Sequence, residues 1–155
     1  MYYHPRMLPA PARGPSDAIH TATLDVLIPV DGSPAADRAV RFVIGLHRRL
    51  APLRVRLLNV QLPDALPHER GHGDPAARSE QALRSARTLL DEAGIACISE
   101  SRSGYVAQAI AQYAKETACS AVVMGTRGMG STDEVLGSIA RQVIHLVDAP
   151  VTLVK

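Results

Sequence analysis

The stretch Leu24-Asp25-Val26-Leu27-Ile28-Pro29-Val30-Asp31-Gly32-Ser33-Pro34 decides the fold. Its near-continuous apolar run has the composition of a strand covered on both faces, as parallel sheets require. Asp31-Gly32 ends that strand with a turn pair. Ser33 is a helix N-cap residue and Pro34 an N1 residue, so a helix starts at once. Ala36, Ala39, Val40, Val43, Leu46 and Leu50 then give that helix one apolar face. Strand, tight turn and amphipathic helix make the first half of a β-α-β unit.

Reading outward, the alternation continues to the end of the chain. Val55–Val60 is a second strand, and Asp74-Pro75 repeats the cap-plus-proline signature before a stripe of Leu83, Ala86, Leu90 and Ala93. Gly94 suits the position that ends that helix. Ile95–Ile98 reads as a third strand, and Val106, Ala109, Ile110, Tyr113 and Thr117 form a third helix after Gly104. Ala121–Met124 is a fourth strand, Gly137-Ser138 opens a fourth helix through Ile139, Val143, Leu146 and Val147, and Val151–Val154 is the last strand. The sum is a doubly wound α/β domain over residues 24–155, with a five-stranded parallel sheet. Right-handed crossovers with two helices on each face give the order 3-2-1-4-5.

Residues 1–23 differ in kind. Pro5, Pro9, Pro11 and Pro15 with Gly14 forbid a continuous helix, and no apolar run of signal-peptide length occurs. The segment reads as a disordered arm. Over the whole chain of 155 residues, 46% are hydrophobic and the formal charge is +2. One core of this size needs no disulfide staple. Nothing reaches the ~20 apolar residues of a membrane span. The basic residues form no stripe, and four tyrosines and one phenylalanine leave little for stacking on bases, which argues against a nucleic-acid binder. Cys97 and Cys119 form no C-x-x-C pair and read as reduced thiols of a cytoplasmic protein.

In this strand order the topological switch lies between the first and fourth strands, and ligands bind there outside the carboxyl ends. The residues at that point are Asp31-Gly32-Ser33 and the glycine-rich run Gly125-Thr126-Arg127-Gly128-Met129-Gly130. The helix opening at Ser138 adds backbone N–H groups and a positive dipole end, a cradle for phosphate. The glycine spacing does not fit G-x-G-x-x-G and follows the wrong strand for a dinucleotide fold. Ser131 stands where a P-loop needs lysine, so phosphoryl transfer lacks its charge. A phosphoacceptor receiver needs an aspartate after the third strand, where Ser99-Glu100-Ser101 stands instead.

Pro29-Val30-Asp31-Gly32-Ser33, Met124-Gly125-Thr126-Arg127-Gly128-Met129-Gly130, Leu136-Gly137-Ser138-Ile139 and Ala149-Pro150-Val151-Thr152-Leu153-Val154 resemble the universal stress protein family, in the family's order. The resemblance covers residues 24–155. It implies a cytoplasmic stress-response regulator, a homodimer, with ATP or another adenine nucleotide as ligand, with or without Mg2+. By the resemblance Pro29, Val30, Asp31 and the main chain at Val60 face adenine and ribose. Gly125 lies against the ribose, with Met124 and Arg127 nearby. Gly128, Gly137, Ser138 and Ile139 meet the phosphates. The family's ATP-binding pattern is G-x2-G-x9-G-[ST]; here eight residues separate Gly128 from Gly137, and Asp133-Glu134 lie among them. The alternative function is a dimeric protein-interaction module that has lost ATP through this shortened loop.

His68-Glu69-Arg70-Gly71-His72 matches H-E-x-x-H, but Pro67, Gly71, Gly73 and Pro75 deny it the helix that zinc chemistry needs, so it reads as a polar loop. The histidines His47 and His145 read as surface residues, and Glu116, Asp91 and Glu92 as solvating charge. No nucleophile–base–orienter set appears, which leaves slow ATP hydrolysis as the ceiling for any enzymatic role. An ATP pyrophosphatase would need Ser-Gly-Gly-x-Asp-Ser after the first strand, and Asp31-Gly32-Ser33-Pro34 does not supply it. The apolar last strand, Val151–Val154, is an exposed edge that invites a second copy across a two-fold axis.

Overall fold

Ser33 accepts a hydrogen bond from the Ala36 N–H at 3.2 Å, so the cap read from the sequence starts the first helix. The computed structural model describes residues 23–50, 52–63, 74–128 and 136–155. Among them, strands and helices alternate as β1 Leu24–Pro29, α1 Pro34–Arg49, β2 Leu53–Gln61, α2 Pro75–Glu92 and β3 Cys97–Ser103. They continue as α3 Val106–Glu116, β4 Ala121–Gly125, α4 Ser138–Leu146 and β5 Val151–Val154. Every strand pair is parallel, in the order β3-β2-β1-β4-β5. Two cores sandwich the sheet. Val26, Ile28, Val55 and Leu57 pack under α1 and α2 with Val40, Val43, Leu83 and Leu90. Leu27, Leu58, Val122 and Met124 pack under α3 and α4 with Ile110, Tyr113 and Val143. Buried on both faces, β1 is the apolar run that its sequence shows.

The helix ends are locally encoded. Ala93 closes α2, Gly94 takes φ +69°, and the Gly94 and Ile95 N–H groups donate to Asp91 and Leu90 carbonyls. This is the glycine-terminated end expected of Gly94. Ile95 is buried as part of that cap, so β3 begins two residues later than the apolar run suggests and extends to Ser103. Ser99, Ser101 and Ser103 pair with Leu57, Asn59 and Gln61; an edge strand half open to solvent carries no apolar signature. In α4 the buried positions are Ala140 and Val143, while Leu146 is 46% exposed, against the stripe expected from the sequence.

Two polar residues differ from their surface reading. His47 Nδ1 accepts from the Leu53 N–H at 3.1 Å, tying the end of α1 to the start of β2. Glu116 is exposed but lies 2.6 Å from Arg102, whose guanidinium holds its carboxyl below the usual range. Deeper, the Arg56 guanidinium meets both oxygens of Asp25, at 2.7 and 3.0 Å. Cys97 is half-buried; Cys119 is buried, and burial pushes its thiol pKa up. All of the 1–23 arm but its last residue, the His68–His72 motif and residues 129–135, with Asp133-Glu134, lie outside the described residues. Among those described, no helix is long and apolar enough to cross a membrane.

Candidate functional site

At the carboxyl end of β1 the backbone is fixed from both sides. The Val30 N–H donates to Leu58 O at 2.9 Å, and the Val30 carbonyl accepts from Asn59 Nδ2 at 2.8 Å. Asn59 is 2% exposed, and its Oδ1 accepts from Gln61 and from Ser79, which also touches Ser101. A buried polar network spanning β1, β2, β3 and α2 thus holds the strand end rigid. The chain then turns through Gly32 at φ +79°, where a β-carbon would press on Ala82 of α2 at 3.2 Å. The Ser33 N–H donates to Asp31 Oδ1 at 3.0 Å, which holds the Asp31 carboxylate at the mouth of the crevice.

Across the switch point, β4 ends against α1. A β-carbon on Gly125 would stand 2.7 Å from the Ala35 β-carbon and 2.8 Å from its backbone. The glycine there is demanded by the packing of α1. Thr126 then bridges two elements: its N–H donates to Val154 O at 3.0 Å and its carbonyl accepts from the Gly137 N–H at 2.8 Å. Gly137 is the N-cap of α4 and provides no side-chain acceptor, so the first N–H groups of this nine-residue helix open on the crevice without a side-chain cap.

These ends enclose a cleft of about 550 Å³, within the usual size for a small-molecule site. Pro29, Val30 and Asp31 line it from β1, and Val60 from β2. Met124 and Gly125 line it from the end of β4, and Arg127 and Gly128 from the chain that follows; Gly137, Ser138 and Ile139 line it at the start of α4. All eleven residues selected from the sequence are therefore brought together. The sequence reading passed over Leu58, Val106 and Ile110, which add an apolar wall from β2 and α3. It also passed over Asn59, although one amide amid the apolar β2 is a visible signal of a buried polar role.

The lining thus combines aliphatic side chains with the start of α4, Ser138 and Arg127. Among the described residues, Asp31 is the single acidic one in the lining. Among the described residues no three acidic, histidine or cysteine side chains are grouped to hold a metal. Any Mg2+ would enter with a ligand's phosphates, as this hydrated cation often does.

The model of the universal stress protein family matches residues 24–155. A universal stress protein of Synechocystis is 31% identical over 132 residues, covering 83% of both chains. Among solved structures, a universal stress protein of Archaeoglobus fulgidus in complex with dAMP has 24% identity and TM-score 0.66, covering 86% of this chain and 98% of that one. A family protein of Arabidopsis thaliana with AMP bound has 18% identity and TM-score 0.65, covering 85% and 91%. At these identities the structures establish the shared fold. The family model's match over residues 24–155 makes the chain a member of the universal stress protein family.

Proposed function

We propose that the cleft binds an adenine nucleotide and that the chain acts as a cytoplasmic, nucleotide-responsive regulator in a homodimer, without catalytic chemistry of its own beyond slow ATP hydrolysis. The observation that carries the reading is that one cleft is lined both by the apolar Val60, Val106 and Ile110 and by the start of α4, whose N-cap Gly137 has no side chain to cap it. A base needs the first and a phosphate the second. Asp31 faces the ribose in this reading, and Gly137, Ser138 and Ile139 meet the phosphates. The dAMP and AMP held by the two structural relatives support the same ligand class.

Calorimetry with AMP, ADP and ATP tests it. The expected result is saturable heat with micromolar to millimolar affinity for at least one of them. No heat for any at millimolar concentration overturns the nucleotide reading and favours the dimeric interaction module, which the eight-residue spacer between Gly128 and Gly137 also suits.

A further inference from the structure

A second, smaller cavity of about 260 Å³ lies beside the cleft, lined by Arg38, Thr126, Arg127 and Lys155. Its three charged side chains are all cations, and they come from three separate segments. The sheet register explains two of them. Gly125 pairs with Val154, so the chains leaving β4 and β5 run side by side, and the Thr126 N–H to Val154 O bond locks them together. Arg127 and Lys155 are the next residues on each. Arg38 arrives by packing: the bare Gly125 lets Ala35 close to contact distance, and Arg38 follows one helical turn later.

None of the three cations is ion-paired with an acid among the described residues. The nearest acidic side chain in sequence, Asp37, is engaged by the Ser85 hydroxyl of α2 at 2.9 Å. Three like charges around one cavity repel each other, and an oxyanion between them relieves that repulsion. Two guanidinium forks and an ammonium suit the several oxygens of a phosphoryl group. Thr126 and Arg127 also line the larger cleft, so the two cavities share a wall. We propose that Arg38, Arg127 and Lys155 form a second oxyanion subsite for a phosphoryl group, distinct from the start of α4.

The subsite stands independently of the nucleotide reading, and pyrophosphate is the probe. Calorimetry at low ionic strength compares the wild type with the double variant Arg38→Gln/Lys155→Gln, neither residue lining the larger cleft. Circular dichroism checks that both are folded. The expected result is pyrophosphate binding that weakens at least ~10-fold in the double variant, as loss of charged hydrogen bonds implies. Arg38→Lys/Lys155→Arg restores it, and AMP affinity does not change. Pyrophosphate affinity equal in wild type and double variant overturns the subsite, as does pyrophosphate binding that only Ser138→Ala removes. An ATP affinity that falls with that of pyrophosphate identifies the nucleotide's own phosphate tail as occupant. An unchanged ATP affinity identifies a separate phosphate. A wild type that binds pyrophosphate but no nucleotide supports the subsite while removing the nucleotide reading.

Discussion

A β-carbon on Gly128 would stand 2.6 Å from Oδ2 of Asp31. The two residues belong to different strand ends, and the missing side chain of one makes room for the carboxylate of the other. Gly128→Ala therefore turns Asp31 out of position. Both residues are exposed, so stability changes by less than ~0.5 kcal/mol. AMP affinity is expected to fall ~10-fold, the value of one displaced hydrogen bond to a charged group. Calorimetry showing wild-type affinity in Gly128→Ala would remove Asp31 from the nucleotide contact.

Two backbone positions make opposite stability predictions. Gly125→Ala drives a methyl group into the Ala35 backbone at 2.8 Å inside the core, where overpacking costs ~1–3 kcal/mol. Ala118 ends α3 with φ 47°, its N–H donating to Lys115 O and the Cys119 N–H to Ala114 O. This is the same cap that Gly94 makes after α2, but built on a residue with a β-carbon. Ala118→Gly removes ~1 kcal/mol of left-handed strain, a gain in Tm of ~2–4 °C at this chain length. Thermal melts of the two variants should move in opposite directions; a fall for Ala118→Gly contradicts the strain argument.

Much of this was legible in the sequence because it is locally encoded. Ser33, Pro34, Asp74 and Gly94 act within one turn of themselves, and the apolar runs of β1 and β4 record burial on both faces. The switch-point site follows from strand order alone, which is why residues as distant as Asp31 and Ser138 could be placed in one cleft. What stayed hidden depends on partners far along the chain. β3 is strand because of its neighbour β2, not because of its serines. Asn59 matters because Val30 O needs a donor, and Arg38 reaches its cavity only because α1 rests on Gly125. Glu116 looked like solvating charge because Arg102, fourteen positions earlier, gives no local sign of pairing with it.

The β5 edge predicts the dimer that the proposed function includes. β5 pairs with β4 on one side, and among the described residues no strand pairs with it on the other. α1 exposes Phe42, and α4 exposes Ile144 and Leu146. A second copy pairing along β5 would satisfy the open backbone groups and cover apolar surface together. Leu153→Asp places a charge in that edge and should shift the protein to monomer. Light scattering that finds wild type monomeric at high micromolar concentration sinks the dimer.

The cleft is expected to prefer a nucleoside monophosphate to a triphosphate. In the proposed reading the nucleoside end is set by residues outside the short spacer: Val30, held by Leu58 and Asn59, and the apolar side chains of Val60, Val106 and Ile110. Gly137 and Ser138 are fixed too, because the Gly137 N–H is bound to Thr126 O at 2.8 Å. A first phosphate at the start of α4 therefore keeps its donors. Further phosphates depend on the spacer, which is eight residues where the ATP-binding pattern has nine and which carries Asp133-Glu134. In the proposed reading the two added carboxylates disfavour a triphosphate, and a spacer of eight residues has one N–H group fewer than one of nine. Losing one or two charged hydrogen bonds at ~1.5–3 kcal/mol each weakens the longer nucleotide ~10- to 10⁴-fold. AMP is expected to bind at least as tightly as ATP. Replacing Asp133 and Glu134 with Asn and Gln should raise ATP affinity and leave AMP affinity unchanged, by calorimetry in the same buffer. ATP binding much tighter than AMP in the wild type would show that the short spacer still cradles the full triphosphate.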